Sequence, residues 1–171
     1  MMTVLIRRIA GVMEAGSLIL GALGLLYMVG VVGLNVAARI VFDLTDTGVN
    51  LMIPGAIEQV SYILGIVALA GLAASMSQGM ILVDFLVARL PELARTLVAR
   101  FWFAGLVALA LVLGWLFTED MLATYRRGEA TQDLRLPMFL IYGLYALQSL
   151  ALAVVALREA LTNQGAQGEI A

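Results

Sequence analysis

Residues 59–83 read QVSYILGIVALAGLAASMSQGMILV, 25 positions without one charged side chain. Wound as a helix at 1.5 Å per residue, this stretch is about 37 Å long, more than the ~30 Å hydrocarbon core of a bilayer. Three more charge-free windows flank it: residues 15–38, 101–118 and 136–157, of 24, 18 and 22 positions. Even the shortest reaches about 27 Å. A soluble bundle would need a polar outer face, and with this much apolar sequence none remains. The reading is an all-α integral membrane protein. It forms a single membrane domain over residues 1–171, with transmembrane spans at about 12–38, 56–78, 99–118 and 136–158.

Composition agrees and excludes much chemistry. The chain is 63% hydrophobic and 13% charged, with a mean hydropathy of +1.01, whereas soluble domains are about 25% charged. Ten arginines, no lysine and twelve carboxylates give a net charge of −2, which does not suit a nucleic-acid binder. There is no histidine and no cysteine. Histidine-ligated haem, thiolate zinc or iron–sulfur sites, a cysteine nucleophile and a Ser-His-Asp triad are therefore all ruled out. No cofactor is expected, and no metal-binding, substrate-binding or catalytic set can be assembled.

Arg7 and Arg8 precede an apolar run interrupted only by Glu14. That run is far longer than the core of a cleaved signal and reads as a retained signal-anchor. With the N-terminus inside, the cytoplasmic segments hold Arg7, Arg8, Arg89, Arg95, Arg100 and Arg158, against Arg39, Arg126, Arg127 and Arg135 outside. The bias of six to four places both termini in the cytoplasm. Asp43, Asp46 and Glu58 make the first outer loop acidic.

The connections differ in kind. Residues 42–57 hold Asp43, Asp46, Gly48, Asn50 and Pro54, a turn-rich composition. Residues 81–90 are mostly apolar and read as a short cytoplasmic interfacial helix, or a continuation of the second span. Pro91 and Glu92 then open the next helix at the positions both favour. Residues 119–135 carry seven charges, the most polar stretch of the chain, and read as the second outer loop. Residues 163–171 read as a disordered tail.

Inside the spans, polar groups are few. Arg39 and Glu58 fall at the same membrane edge, where they can pair as an interfacial contact, or Glu58 can meet a partner protein. Glu119 and Asp120 are adjacent carboxylates, but helix neighbours point about 100° apart, so a solvated loop start fits better than acid–base chemistry. What the spans do offer is packing surface. Ser17 with Gly21, Gly33 with Ala37, Ala70 with Ala74, Gly71 with Ser75 and Ala73 with Ser77 stand four residues apart, a spacing that lets membrane helices approach closely. No proline interrupts a span, which argues against the broken helices of a self-contained carrier.

Several short stretches carry a resemblance. Arg39-x-x-Phe42 ends span one, and Glu58-Gln59 opens span two. Gly79-Met80-Ile81-Leu82-Val83-Asp84-x-Leu86 is followed by Arg89-Leu90-Pro91. Arg127-Gly128-x-x-Thr131 and Leu136-Pro137-Met138-x-x-x-Tyr142 lead into span four. In order and spacing, over about residues 15–160, the chain resembles the DctQ-like small membrane subunit of tripartite ATP-independent periplasmic (TRAP) transporters. It departs from that family's pattern at Ala56, Gln59 and Met80, where an aromatic residue, a second glutamate and a histidine are usual.

The resemblance implies a sodium-driven uptake system in a bacterial inner membrane, typically for organic acids carrying a carboxylate. A periplasmic DctP-like receptor captures the solute, and a large DctM-like subunit moves it by an elevator motion. The small subunit would be a static scaffold that helps dock the receptor, and not an enzyme. Its implied partners are those two proteins and membrane lipid. Candidate contact or motif residues are Arg39, Glu58, Gly79, Asp84, Arg127, Gly128, Arg135 and Pro137. Arg126, Glu129 and Asp133 share the outer loop with several of these, and a merely solvated loop is the plainer explanation of its charges. The faces of spans one and two and residues 81–90 are candidates for meeting the large subunit. An autonomous homo-oligomeric channel and a membrane anchor for a redox complex are the alternatives; the apolar third and fourth spans disfavour a pore.

Overall fold

In hydrocarbon, every backbone N–H and C=O must find a partner within the chain, and long proline-free runs of Leu, Ala, Val and Gly do so as helices. The computed structural model describes residues 2–45, 48, 51, 53–76 and 91–162. These form helices α1 (Met2–Leu44), α2 (Ala56–Ser75), α3 (Glu92–Arg127) and α4 (Met138–Thr162). All four are long and apolar enough to cross a membrane. The expected interfacial helix at 81–90, which includes Asp84, lies outside the described residues, as do Ser77, Gly79 and the tail at 163–171.

Two helices outrun the spans read from charge-free windows. α1 has 43 residues and α3 has 36, about 64 and 54 Å. The expected outer loop at 119–135 is half helix: Glu119, Asp120, Arg126 and Arg127 all belong to α3. A charge ends a hydrophobic window but not a helix, and Arg, Glu and Met are good helix formers. α3 stops only at Gly128, whose φ of 64° turns the chain left-handed. There the N–H of Glu129 donates to the Thr124 carbonyl at 3.1 Å and that of Gly128 to Tyr125 at 3.3 Å, the paired bonds of a Schellman cap.

α4 is the hub. In its most apolar stretch 44% of residues are buried, against 17% in each of the other three helices. It packs along α3 and also touches α1 and α2, while α1 and α2 pair with each other. Ala73 of α2, Ala110 of α3 and Leu152 and Ala153 of α4 meet in one core. Small residues set these approaches. Val67 sits where a side chain on Gly24 would be, and a Cβ on Gly21 would meet the Ala70 methyl at 3.6 Å. A Cβ on Gly65 would lie 2.7 Å from the Tyr145 hydroxyl, which donates to the Tyr62 carbonyl at 2.8 Å. Of the expected small-residue pairs, Ser17 and Gly21 face inward, as do Ala70 and Ala73; Gly33, Ala37, Gly71 and Ser75 are exposed.

Cross-contacts also fix the register. The Tyr27 hydroxyl donates to the Gln59 side chain, and Glu14 pairs with Arg158 at 2.6 Å. α1 is therefore level with α2 and α4 from about Gly11 to Gly30. Residues 31–44 run about 20 Å beyond the first turn of α2. The Ile53 N–H donates to Asn35 at 3.3 Å, tying the connection back onto this overhang.

Candidate functional site

The first turn of α2 begins after Gly55, whose φ of 64° suits glycine. A Cβ at Gly55 would also stand 3.0 Å from Asp133 and 3.1 Å from Leu134. The bare backbone lets the α3–α4 connection descend onto the end of α2. Glu58, one turn along, receives it. Its Oε1 accepts the Gln132 N–H at 2.8 Å, and its Oε2 accepts the N–H groups of Asp133 at 3.0 Å and Leu134 at 3.3 Å. One carboxylate thus gathers three consecutive backbone donors from more than seventy residues away. Bonds to an ionised acceptor are roughly twice as strong as neutral ones.

The connection is also closed on itself. Ala130 and Pro137 form an isolated bridge. The Thr131 N–H donates to the Leu136 carbonyl at 2.9 Å, and that of Met138 to Glu129 at 3.0 Å. Thr131 is buried, and its hydroxyl accepts the Leu136 N–H at 3.0 Å. Arg135 holds a φ of 52°, a left-handed conformation uncommon outside glycine. Pro137 precedes the first residue of α4, where its missing N–H leaves no helical bond unmade. Beside this clasp a recess of about 820 Å³ opens among Glu58, Ser61, Tyr62, Glu129, Gln132 and Asp133.

The structure thus gathers Glu58, Arg135 and Pro137 into one clasp. Gly128 and Arg127 stand at its edge, with Arg127 paired to Glu129 at 2.6 Å. Arg39 stands apart. The possible Arg39–Glu58 pair does not form, because Tyr27 is the α1 residue level with Gln59 and Arg39 lies twelve residues, about 18 Å, farther along. Glu58 turns instead to the backbone of the α3–α4 connection.

Two other polar links escape a reading by composition. At the end of the bundle opposite the clasp, Arg158 bridges Glu14 at 2.6 Å and Glu159 at 2.7 Å, with its side chain only 12% exposed. At mid-span the buried Ser17 hydroxyl donates to the Gln148 side chain at 3.0 Å. Lone polar residues on apolar helices were the available signal; which of them meet depends on helix register.

Residues 28–164 match the family described as Tripartite ATP-independent periplasmic transporters, DctQ component. The chain belongs to the DctQ family. It is thus a multi-pass small membrane subunit of a TRAP-type transporter, a transport component rather than a member of an enzyme family, working with the larger components of a tripartite system. No curated protein and no solved structure matches it. The DctQ match begins at residue 28, so the Glu14–Arg158 and Ser17–Gln148 links each join a residue outside the matched region to one inside.

Proposed function

We propose that this DctQ subunit is the fixed scaffold of its transporter, in a bacterial inner membrane with both termini cytoplasmic. It braces a DctM-like subunit that carries the solute by an elevator motion driven by a sodium gradient. Its outer end offers part of the landing surface for a DctP-like periplasmic receptor. The observation that carries this reading is the Glu58 clasp. Three backbone bonds to one side chain, a buried threonine staple and a capped helix end hold the α3–α4 connection in one shape. A surface built to stay still suits a docking platform, whereas a moving element needs a hinge or a weakly held loop. Of the arginines in the described residues, 7, 8, 95, 100 and 158 lie toward the end opposite the clasp and 39, 126, 127 and 135 toward the clasp side, a slight bias that favours the orientation.

The test is co-expression of the tagged chain with its neighbouring transporter genes. A one-to-one complex with a large multi-span protein in mild detergent is expected, together with solute uptake in vesicles that requires sodium and receptor. A monodisperse homo-oligomer with no large partner would overturn the scaffold reading. Normal receptor-dependent uptake by a Glu58→Ala complex would remove the clasp from docking.

A further inference from the structure

Below the clasp, on the bilayer side of the connection, a second cavity of about 420 Å³ lies between α1, α2 and α4. Its walls are Ile63, Ile66, Leu134, Leu136, Ile141 and Leu144, and its rim holds Tyr27, Glu58, Gln59 and Tyr62. From Glu58 to Ile66 it follows two turns of α2, about 12 Å of depth. That places it in the leaflet on the Glu58 side, just under the headgroup level.

The chemistry of the rim narrows the occupant. Tyr27 donates to Gln59, Gln59 donates to the Pro54 carbonyl at 3.2 Å, and Glu58 accepts three backbone N–H groups. The Tyr27, Gln59, Glu58 and Thr131 side chains are engaged within the protein, Tyr62 adds one hydroxyl, and the rest of the lining is apolar, so the cavity offers a ligand chiefly dispersion and apolar burial rather than directional recognition of a polar metabolite. In a bilayer the hydrocarbon at that depth is lipid acyl chain. The one ionised group at the rim is a carboxylate, which attracts an ammonium and repels a second anion. We propose that this cleft holds one acyl chain of a phospholipid whose ammonium headgroup rests against Glu58. The bound chain would fill the angle between α1 and α4 beneath the clasp, so that lipid completes the packing the helices leave open. This inference does not depend on the scaffold reading and stands or falls separately.

The experiment uses the full chain, reconstituted with defined mixtures of palmitoyl-oleoyl phosphatidylethanolamine and phosphatidylglycerol and released for native mass spectrometry. One phosphatidylethanolamine retained per chain is expected, preferred over phosphatidylglycerol by about threefold to fivefold, as a partly solvated charge contact gives. Glu58→Gln should erase the preference, and Leu144→Trp, which fills the cleft, should abolish retention. Because either variant can disturb folding, the unsubstituted chain is also labelled with a phosphatidylethanolamine carrying a mid-chain diazirine. Adducts on the cleft walls support the proposal. No retained lipid, equal or greater retention of phosphatidylglycerol, undiminished retention by a folded Leu144→Trp chain, or adducts confined to other surfaces would each overturn it.

Discussion

At the scale of single residues, Glu58 and Gly65 show how little side-chain chemistry holds this DctQ subunit and how specific its placement is. Removing the Glu58 carboxylate leaves three N–H groups to be taken over by water, since this end of α2 is only partly buried. The expected loss for Glu58→Ala is therefore about 2 kcal/mol rather than the sum of three buried charge-assisted bonds. Hydrogen–deuterium exchange checks it directly: the amides of Gln132, Asp133 and Leu134 should lose protection while those in the middle of α4 keep theirs. Gly65 is a packing requirement. Gly65→Ala drives a methyl into the Tyr145 ring and hydroxyl and breaks the bond to the Tyr62 carbonyl, at about 1–3 kcal/mol. Tyr145→Ala removes the obstacle, so in a double-mutant cycle Gly65→Ala should be far less damaging in the Tyr145→Ala background. Additive losses would show that the two residues are not in contact.

At the scale of elements, charge-free windows located all four helices but not their ends. The window rule measures where charges begin, and the helices run on through Arg7, Arg8, Glu119 and Arg126 until something stops the backbone. For α3 that stop is Gly128, which was legible as part of a motif but not as a helix cap, because the expected loop already began at Glu119. Gly128→Ala puts a Cβ into a left-handed position and should lower stability by about 1 kcal/mol, with Gly128→Asn losing less. Thermal unfolding in detergent ranks the two variants. The Glu58 clasp was not legible either. Arg39 and Glu58 look like partners when both are taken as span ends, and only the Tyr27–Gln59 register shows that α1 passes that level and continues. The same blindness to register hid Ser17–Gln148 and Glu14–Arg158: Ser17 reads as a small packing residue and Arg158 as a span-end charge until the helices are set side by side. Mid-span hydrogen bonds between membrane helices average about 0.6 kcal/mol. Ser17→Ala, which strips a buried amide of its bond, should lose about that much or slightly more in a reversible detergent unfolding titration.

At the scale of the whole molecule, the fold is lopsided. α4 is covered on several sides, whereas α3 rests on α4 and α1 outruns the bundle. Residues 31–44 carry Val32, Leu34, Val36, Ile40 and Leu44, each about half exposed or more, on a helix that extends about 20 Å past its neighbours. One side of this overhang is covered, with Val31 and Ala38 buried and Asn35 holding the Ile53 N–H, but its exposed apolar side is a surface that suits another protein. In the scaffold reading that protein is the large transporter subunit. Leu34 and Ile40 lie six positions apart and are 63% and 54% exposed, so Leu34→Ser with Ile40→Ser should change the chain's own unfolding midpoint little. The same pair should weaken capture of the large subunit at least about tenfold, the effect of removing roughly 1.4 kcal/mol of interface burial. Quantitative pull-down in mild detergent measures both quantities on one preparation. Equal capture with unchanged stability would assign the overhang to lipid and move the interface to the exposed Gly71 and Ser75 side of α2.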